Sequence, residues 1–201
     1  MINRTTISLI SGLLLIPVNV QAAGTNFFLQ GLYHPMMVPA QLIALFALAL
    51  LIGQQGQRSL CRVPLGFVLA LSLSLLATRY YTPSWNSELV LLPLAALTGL
   101  LVILKREWPL QLSMLLAILI ATVVGLDSAV PMIPGLQARK IYASLAGSGL
   151  TITSLLVLVS IVSFFLRNIL QGIALRVLGA WSTAGAILVL TLLLAPITLP
   201  N

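Results

Sequence analysis

The sequence predicts an all-α, polytopic membrane bundle of six transmembrane helices behind a cleavable signal peptide, and three observations carry that reading. Of the 201 residues, 60% are hydrophobic and only 6% are charged, against roughly 25% charged in soluble domains. Mean hydropathy is +1.13, which leaves too little polar surface to enclose a water-soluble globule. Long apolar stretches recur along the chain without the polar–apolar alternation of a porin-type barrel, and helices satisfy every backbone group internally in lipid.

The first element is residues 1–22, which read as a signal peptide. Arg4 supplies a short basic region, residues 7–18 an apolar core, and Val20-Gln21-Ala22 a small-residue cleavage site. The competing reading is an uncleaved first helix. Against it, Pro17 and Asn19 cut the run short of the ~20 residues that a span needs. Cleavage puts the new N-terminus, near Ala23, outside the cytoplasm. Residues 23–201 then form a single transmembrane domain.

Six apolar stretches follow, at 37–53, 63–78, 89–104, 109–126, 142–166 and 177–197. Orientation follows from their loops. With the mature N-terminus outside, the cytoplasmic loops 54–62, 105–108 and 167–176 hold Arg58, Arg62, Lys105, Arg106, Arg167 and Arg176, whereas the outer loops hold Arg79, Arg139 and Lys140. The excess of cations inside obeys the positive-inside rule and puts both termini outside. Short loops lead one to expect helices packed antiparallel to their neighbours in the chain.

The formal charge of +7 comes from cations scattered singly and in pairs. A nucleic-acid footprint would need a basic cluster with interleaved aromatics, so no nucleic-acid partner is implied; the lipid bilayer is. Cys61 is the one cysteine, which excludes an internal disulfide. With one histidine and three acids, general acid–base chemistry has almost no residues to use. No phosphate loop, nucleophile elbow or zinc-protease helix occurs, and an enzyme is not expected.

Polar chemistry has few places to sit. His34, in Gly31-Leu32-Tyr33-His34-Pro35, opens the first span; it is either a metal-binding imidazole or an interfacial histidine beside Tyr33. Pro39 lies within that span's first turn or so. Gln41 follows, placed to hydrogen-bond across the bundle or to snorkel. Asp127 ends the fourth span; an acid at membrane depth is a functional candidate by default, and solvated placement at the outer edge is the alternative. Glu88 and Glu107 read as interfacial charges. Ser144, Ser148, Thr151 and Ser154 share one face of the fifth span. They either line a narrow polar path or serve close helix packing through small residues.

The stretch His34-Pro35-Met36-Met37-Val38-Pro39-Ala40-Gln41 resembles the entry motif of the HupE/UreJ family, His-Pro-x-x-Gly-x-Asp-His, which follows a cleaved signal peptide. His34 and Pro35 match; Val38, Ala40 and Gln41 stand at the glycine, aspartate and second histidine positions. Val124-Gly125-Leu126-Asp127 is similar to a second motif, His-Gly-x-Glu, with Gly125 and an acid kept and Val124 at the histidine. Tyr142 at the start of the fifth span and Arg176 before a glycine-rich last span are also similar. Where the family has a histidine in the penultimate span, this chain has hydroxyls around Ser154.

The resemblance implies a bacterial inner-membrane permease for nickel or cobalt, with no resident cofactor beyond the transient Ni2+ or Co2+. His34 and Asp127 are the surviving ligands, expected on the outer side and near each other, directly or through one water. Gln41 and the hydroxyl stripe would be the polar path. A second function is a non-transporting, permease-like subunit that packs laterally in a larger membrane complex or with copies of itself.

Overall fold

The computed structural model describes residues 27–78, 86–104, 108–128, 138–167 and 172–195. The predicted signal peptide, residues 1–22, lies outside them, as do Arg79, Lys105, Arg106 and Glu107. The described elements are all helices: α1 (Phe27–Met37), α2 (Pro39–Gln55), α3 (Gln57–Ala77), α4 (Glu88–Ile103), α5 (Leu110–Asp127), α6 (Ala138–Leu166) and α7 (Ile173–Leu194). Four of them, α3, α5, α6 and α7, are long and apolar enough to cross a membrane, and α1 with α2 makes a fifth if that bent pair is one span. α4 is apolar but has only 16 residues, about 24 Å of helix against ~30 Å of hydrocarbon.

The start of the first predicted span differs from expectation. His34 does not open that span; it lies within α1, a separate helix that meets α2 at a bend of 75°. Two prolines cause the break. Pro35 lies inside α1 and has no N–H to give the carbonyl of Gly31. Pro39 begins α2, and the residue before it, Val38, is extended at φ −104° and ψ 101°. A residue preceding proline is disfavoured in the helical region, so the chain turns there.

α2 is the hub of the bundle. Eleven of its 17 residues are buried, and it packs mainly against α4 and α6, with further contacts to α7, α3, α5 and α1. Leu48, Leu51 and Ile52 of α2 share the core with Leu91 and Leu92 of α4, Ile120 of α5, and Ile152 and Leu156 of α6. Lipid tails are as apolar as these side chains, so close dispersion contact rather than water expulsion holds the helices together.

The other main pairings are α4 with α7, α1 with α6 and α3 with α5. Packing between chain neighbours, expected from short loops, is therefore not the rule: α6 and α7 barely touch. A loop ties two helix ends together, whereas the length of a helix pairs where small residues permit close approach. α1 and α6 illustrate this: a β-carbon on Gly31 would overlap the Ser144 carbonyl, and one on Gly147 the carbonyl of Phe28.

The expected loop 54–62 is also far shorter. α2 runs to Gln55 and α3 starts at Gln57, leaving Gly56 alone between them at φ 96°. That conformation costs glycine little and other residues more. Arg58 and Arg62 consequently lie on the first turns of α3, both exposed.

Candidate functional site: a carboxylate at the meeting of three helix ends

Asp127 is the last residue of α5. Its Oδ2 accepts a hydrogen bond from Nε2 of Gln41, in the first turn of α2. Its Oδ1 accepts one from Oγ of Ser87, the residue that precedes α4. Ser87 occupies the N-cap position, yet its side chain makes no cap bond and reaches Asp127 instead. Three helix ends thus converge on one carboxylate.

The electrostatics of this arrangement are opposed. Asp127 sits at the carbonyl-rich end of its own helix, which disfavours negative charge. Facing it are the N-terminal turns of α2 and α4, the ends of those helices that carry partial positive charge.

Gln41 is fully buried, and its Oε1 has no hydrogen-bond partner. An unmatched buried acceptor costs about 1–3 kcal/mol. The amide cannot relieve this by turning over on its own, because Oε1 would then face the negatively charged oxygen of Asp127. A cation between the two oxygens removes the conflict. This is the chemical property that separates the site from an ordinary buried hydrogen bond.

Beside it lies a cavity of about 450 Å3, lined by Asn86, Ser87, Glu88, Leu89, Leu193 and Leu194. Ser87 belongs to both, lining the cavity and touching Asp127. A second cavity of about 280 Å3, between α2, α6 and α7, is lined by Leu42, Ile43, Leu45, Phe46, Leu155, Val159 and Ser182. One hydroxyl among hydrocarbon offers a cation nothing.

The remaining predicted residues are dispersed. His34 is exposed and makes no hydrogen bond or ion pair with the described residues. The structure therefore does not bring it into direct contact with Asp127. The hydroxyls of the α6 stripe meet backbone carbonyls. Ser148 donates to Gly31 at 3.0 Å and Ser144 at 3.2 Å, and Thr151 to Leu32 at 3.0 Å and Gly147 at 3.2 Å. Ser144 is buried alongside Gly31; Ser154 is exposed and donates to Thr151 at 3.0 Å. Of the two readings of the stripe, the hydrogen bonds fit helix docking.

Among the described residues, no three His, Cys, Asp or Glu side chains gather into a metal-binding group. Ser87 is the functional candidate that sequence reasoning missed. Its signal was present in the pair Ser87-Glu88 ahead of an apolar run, which reads as a helix start and conceals any other use of the hydroxyl.

A family model described as HupE / UreJ protein matches residues 11–189. The chain belongs to the HupE/UreJ family. No curated protein and no solved structure matches it. HupE/UreJ proteins are membrane transporters of nickel and cobalt and not enzymes, so the chain is a multi-pass membrane protein whose surroundings are a lipid bilayer. The two stretches that carry the sequence resemblance, 34–41 and 124–127, meet here through Gln41 and Asp127.

Proposed function

We propose that this HupE/UreJ protein is a permease for Ni2+ or Co2+ whose entrance is the Gln41–Asp127–Ser87 constellation. The observation that carries the reading is the buried, unpartnered Oε1 of Gln41 beside a carboxylate. An arriving cation binds Asp127, the amide of Gln41 turns, and Oε1 joins the carboxylate as a ligand. Oxygen ligands hold nickel and cobalt less tightly than imidazole does, which suits a site that must also release its cargo. Asn86 and Glu88 line the approach, and exposed His34 offers a first imidazole contact on the same side. We assign Ser144, Ser148, Thr151 and Ser154 to the docking of α1 and not to the path.

In this reading the mature chain crosses the bacterial inner membrane six times after cleavage of residues 1–22, with α1 folded back beside α6. Both termini and Asp127 face outward, as the cation bias of the loops implies. The test is metal accumulation in a bacterial host lacking its own nickel and cobalt importers. Wild-type protein should raise cellular nickel or cobalt, and Asp127→Asn should remove the gain. Equal accumulation by wild type, D127N and empty vector would overturn the proposal.

One observation favours the second function, a non-transporting subunit: the absence of a three-ligand cluster among the described residues. That reading requires a stoichiometric membrane partner after mild detergent extraction. Recovery of the chain alone or with copies of itself, together with metal accumulation, decides for the permease.

A further inference from the structure

The cavity beside Asp127 has a second carboxylate in its wall. Glu88 lines it together with Asn86 and Ser87. The side chain is half-buried, and among the described residues nothing hydrogen-bonds or ion-pairs with it. Glu88 stands in the first turn of α4, where a carboxylate favours the helix. That preference explains an acid at this position but requires no cavity in front of it.

The polar part of the lining is acceptor chemistry. Ser87 gives its hydroxyl proton to Asp127, so toward the cavity its oxygen can only accept. The Glu88 carboxylate also only accepts, and Asn86 can turn its amide oxygen inward. Leu193 and Leu194, at the end of α7, complete the wall. Hydrocarbon beside a carboxylate focuses its field into the space between them.

Size narrows the occupant. The cavity measures about 450 Å3, whereas a cation with six waters fills roughly 200 Å3 at ~30 Å3 for each water. A bare ion in that space meets one wall at most. A hydrated ion presents O–H donors on every side and so satisfies several acceptors at once.

We propose that this cavity is a vestibule that takes the divalent cation with its water shell intact, and that Glu88 captures it there ahead of Asp127; this rests on the permease reading above. Ser87 joins the two stages, since its oxygen lines the vestibule and its proton lies on Asp127. Glu88 holds the ion through water. Shell waters are lost only at the next stage, where oxygens of Asp127 and Gln41 replace them.

The experiment measures initial Ni2+ uptake into proteoliposomes of the full chain, for wild type, Glu88→Gln and Glu88→Asp, with hexaamminecobalt(III) as inhibitor. That ion resembles a hydrated cation in size and in its outward donors but does not shed its ligands. It can enter the vestibule and go no further, so it should inhibit wild-type uptake competitively. E88Q should raise the KM for Ni2+ by about five- to tenfold, the effect of one carboxylate on a nearby divalent cation in water, with the change falling on KM and not on Vmax. Sensitivity to hexaamminecobalt(III) should fall by the same factor in E88Q and be largely kept in E88D. Wild-type KM and inhibition in E88Q, or a wild type that hexaamminecobalt(III) does not inhibit, would overturn the vestibule and leave the permease standing. So would a loss of Vmax in E88Q in step with a lowered melting midpoint, which assigns Glu88 to the fold. A folded wild type that takes up no Ni2+ overturns both.

Discussion

Ser148 donates a hydrogen bond to the carbonyl of Gly31, the acceptor that Pro35 deprives of its helical partner. A proline in a helix removes one N–H and strands one carbonyl four residues back. In lipid that carbonyl has no water to turn to, so a hydroxyl from the neighbouring helix completes it. Thr151, one turn further along α6, adds a hydrogen bond to the carbonyl of Leu32, whose helical partner Met36 keeps its N–H. α1 is thus attached to α6 partly through its own defect, on the near side of the 75° bend at Val38.

Replacing Ser148 with alanine should therefore destabilise the docked α1 by about 0.6–1.7 kcal/mol, the range for interhelical hydrogen bonds in membranes. The double variant S148A/T151V should lose more than either single change. Thermal melting in detergent measures the loss, and limited proteolysis within α1 reports whether it has detached. Unchanged melting and cleavage in the double variant would show that small-residue packing alone holds α1.

The structure bears on what the sequence makes legible. The apolar helices are legible because hydropathy over a span is a local sum. Each of the six predicted stretches overlaps a helix, although only four, or five with the bent pair, are long and apolar enough to cross a membrane. Asp127, Gln41 and the α6 hydroxyls stand out because polar residues are rare in this chain. Their partners are not legible. Gln41 and Asp127 are 86 residues apart, and only the tertiary arrangement makes α2 and α5 neighbours. α1 escapes sequence reading because Pro35 and Pro39 suggest an entry into one helix rather than a boundary between two. Ser87 escapes because a serine before a helix has a commoner use as a cap.

Asp127 can be divided by substitution into charge and geometry. Asp127→Asn keeps an oxygen for Gln41 or Ser87 but removes the charge, so the fold should survive while metal uptake falls. Asp127→Ala also strands Nε2 of buried Gln41, at about 1–3 kcal/mol, and takes the acceptor from Oγ of half-buried Ser87. The alanine variant should melt well below the asparagine variant, with both inactive. Equal melting of the two would mean that Asp127 does not anchor the junction of α2, α4 and α5.

Gly56 joins α2 to α3 as a single residue at φ 96°, with Nη1 of Arg167 close to where a β-carbon would project. Gly56→Ala should lower stability by about 1–3 kcal/mol, because φ 96° with ψ −168° is a backbone region that essentially only glycine occupies. Arg167→Ala in the same background relieves the steric part and leaves the backbone part. A melting series of the two singles and the double separates these contributions. A wild-type midpoint for G56A would show that the turn relaxes freely.

Gln41, which the sequence resemblance sets against a histidine of the HupE/UreJ entry motif, already points its side chain at Asp127 from the first turn of α2. Gln41→His places an imidazole beside the carboxylate, and imidazole is a better ligand for nickel than an amide oxygen. Ni2+ binding should tighten by roughly tenfold or more, since one improved ligand is worth at least about 1.4 kcal/mol. Transport should not rise in proportion, because a cation held more firmly at the entrance leaves it more slowly. Isothermal titration with Ni2+ gives the affinity, and proteoliposome uptake gives the rate. Tighter binding with unchanged or slower uptake identifies Gln41 as a tuned entrance ligand. If Q41H binds Ni2+ no better than wild type while Asp127→Asn still abolishes uptake, the cation meets Asp127 from a side that Gln41 does not face, and the amide is a packing element only.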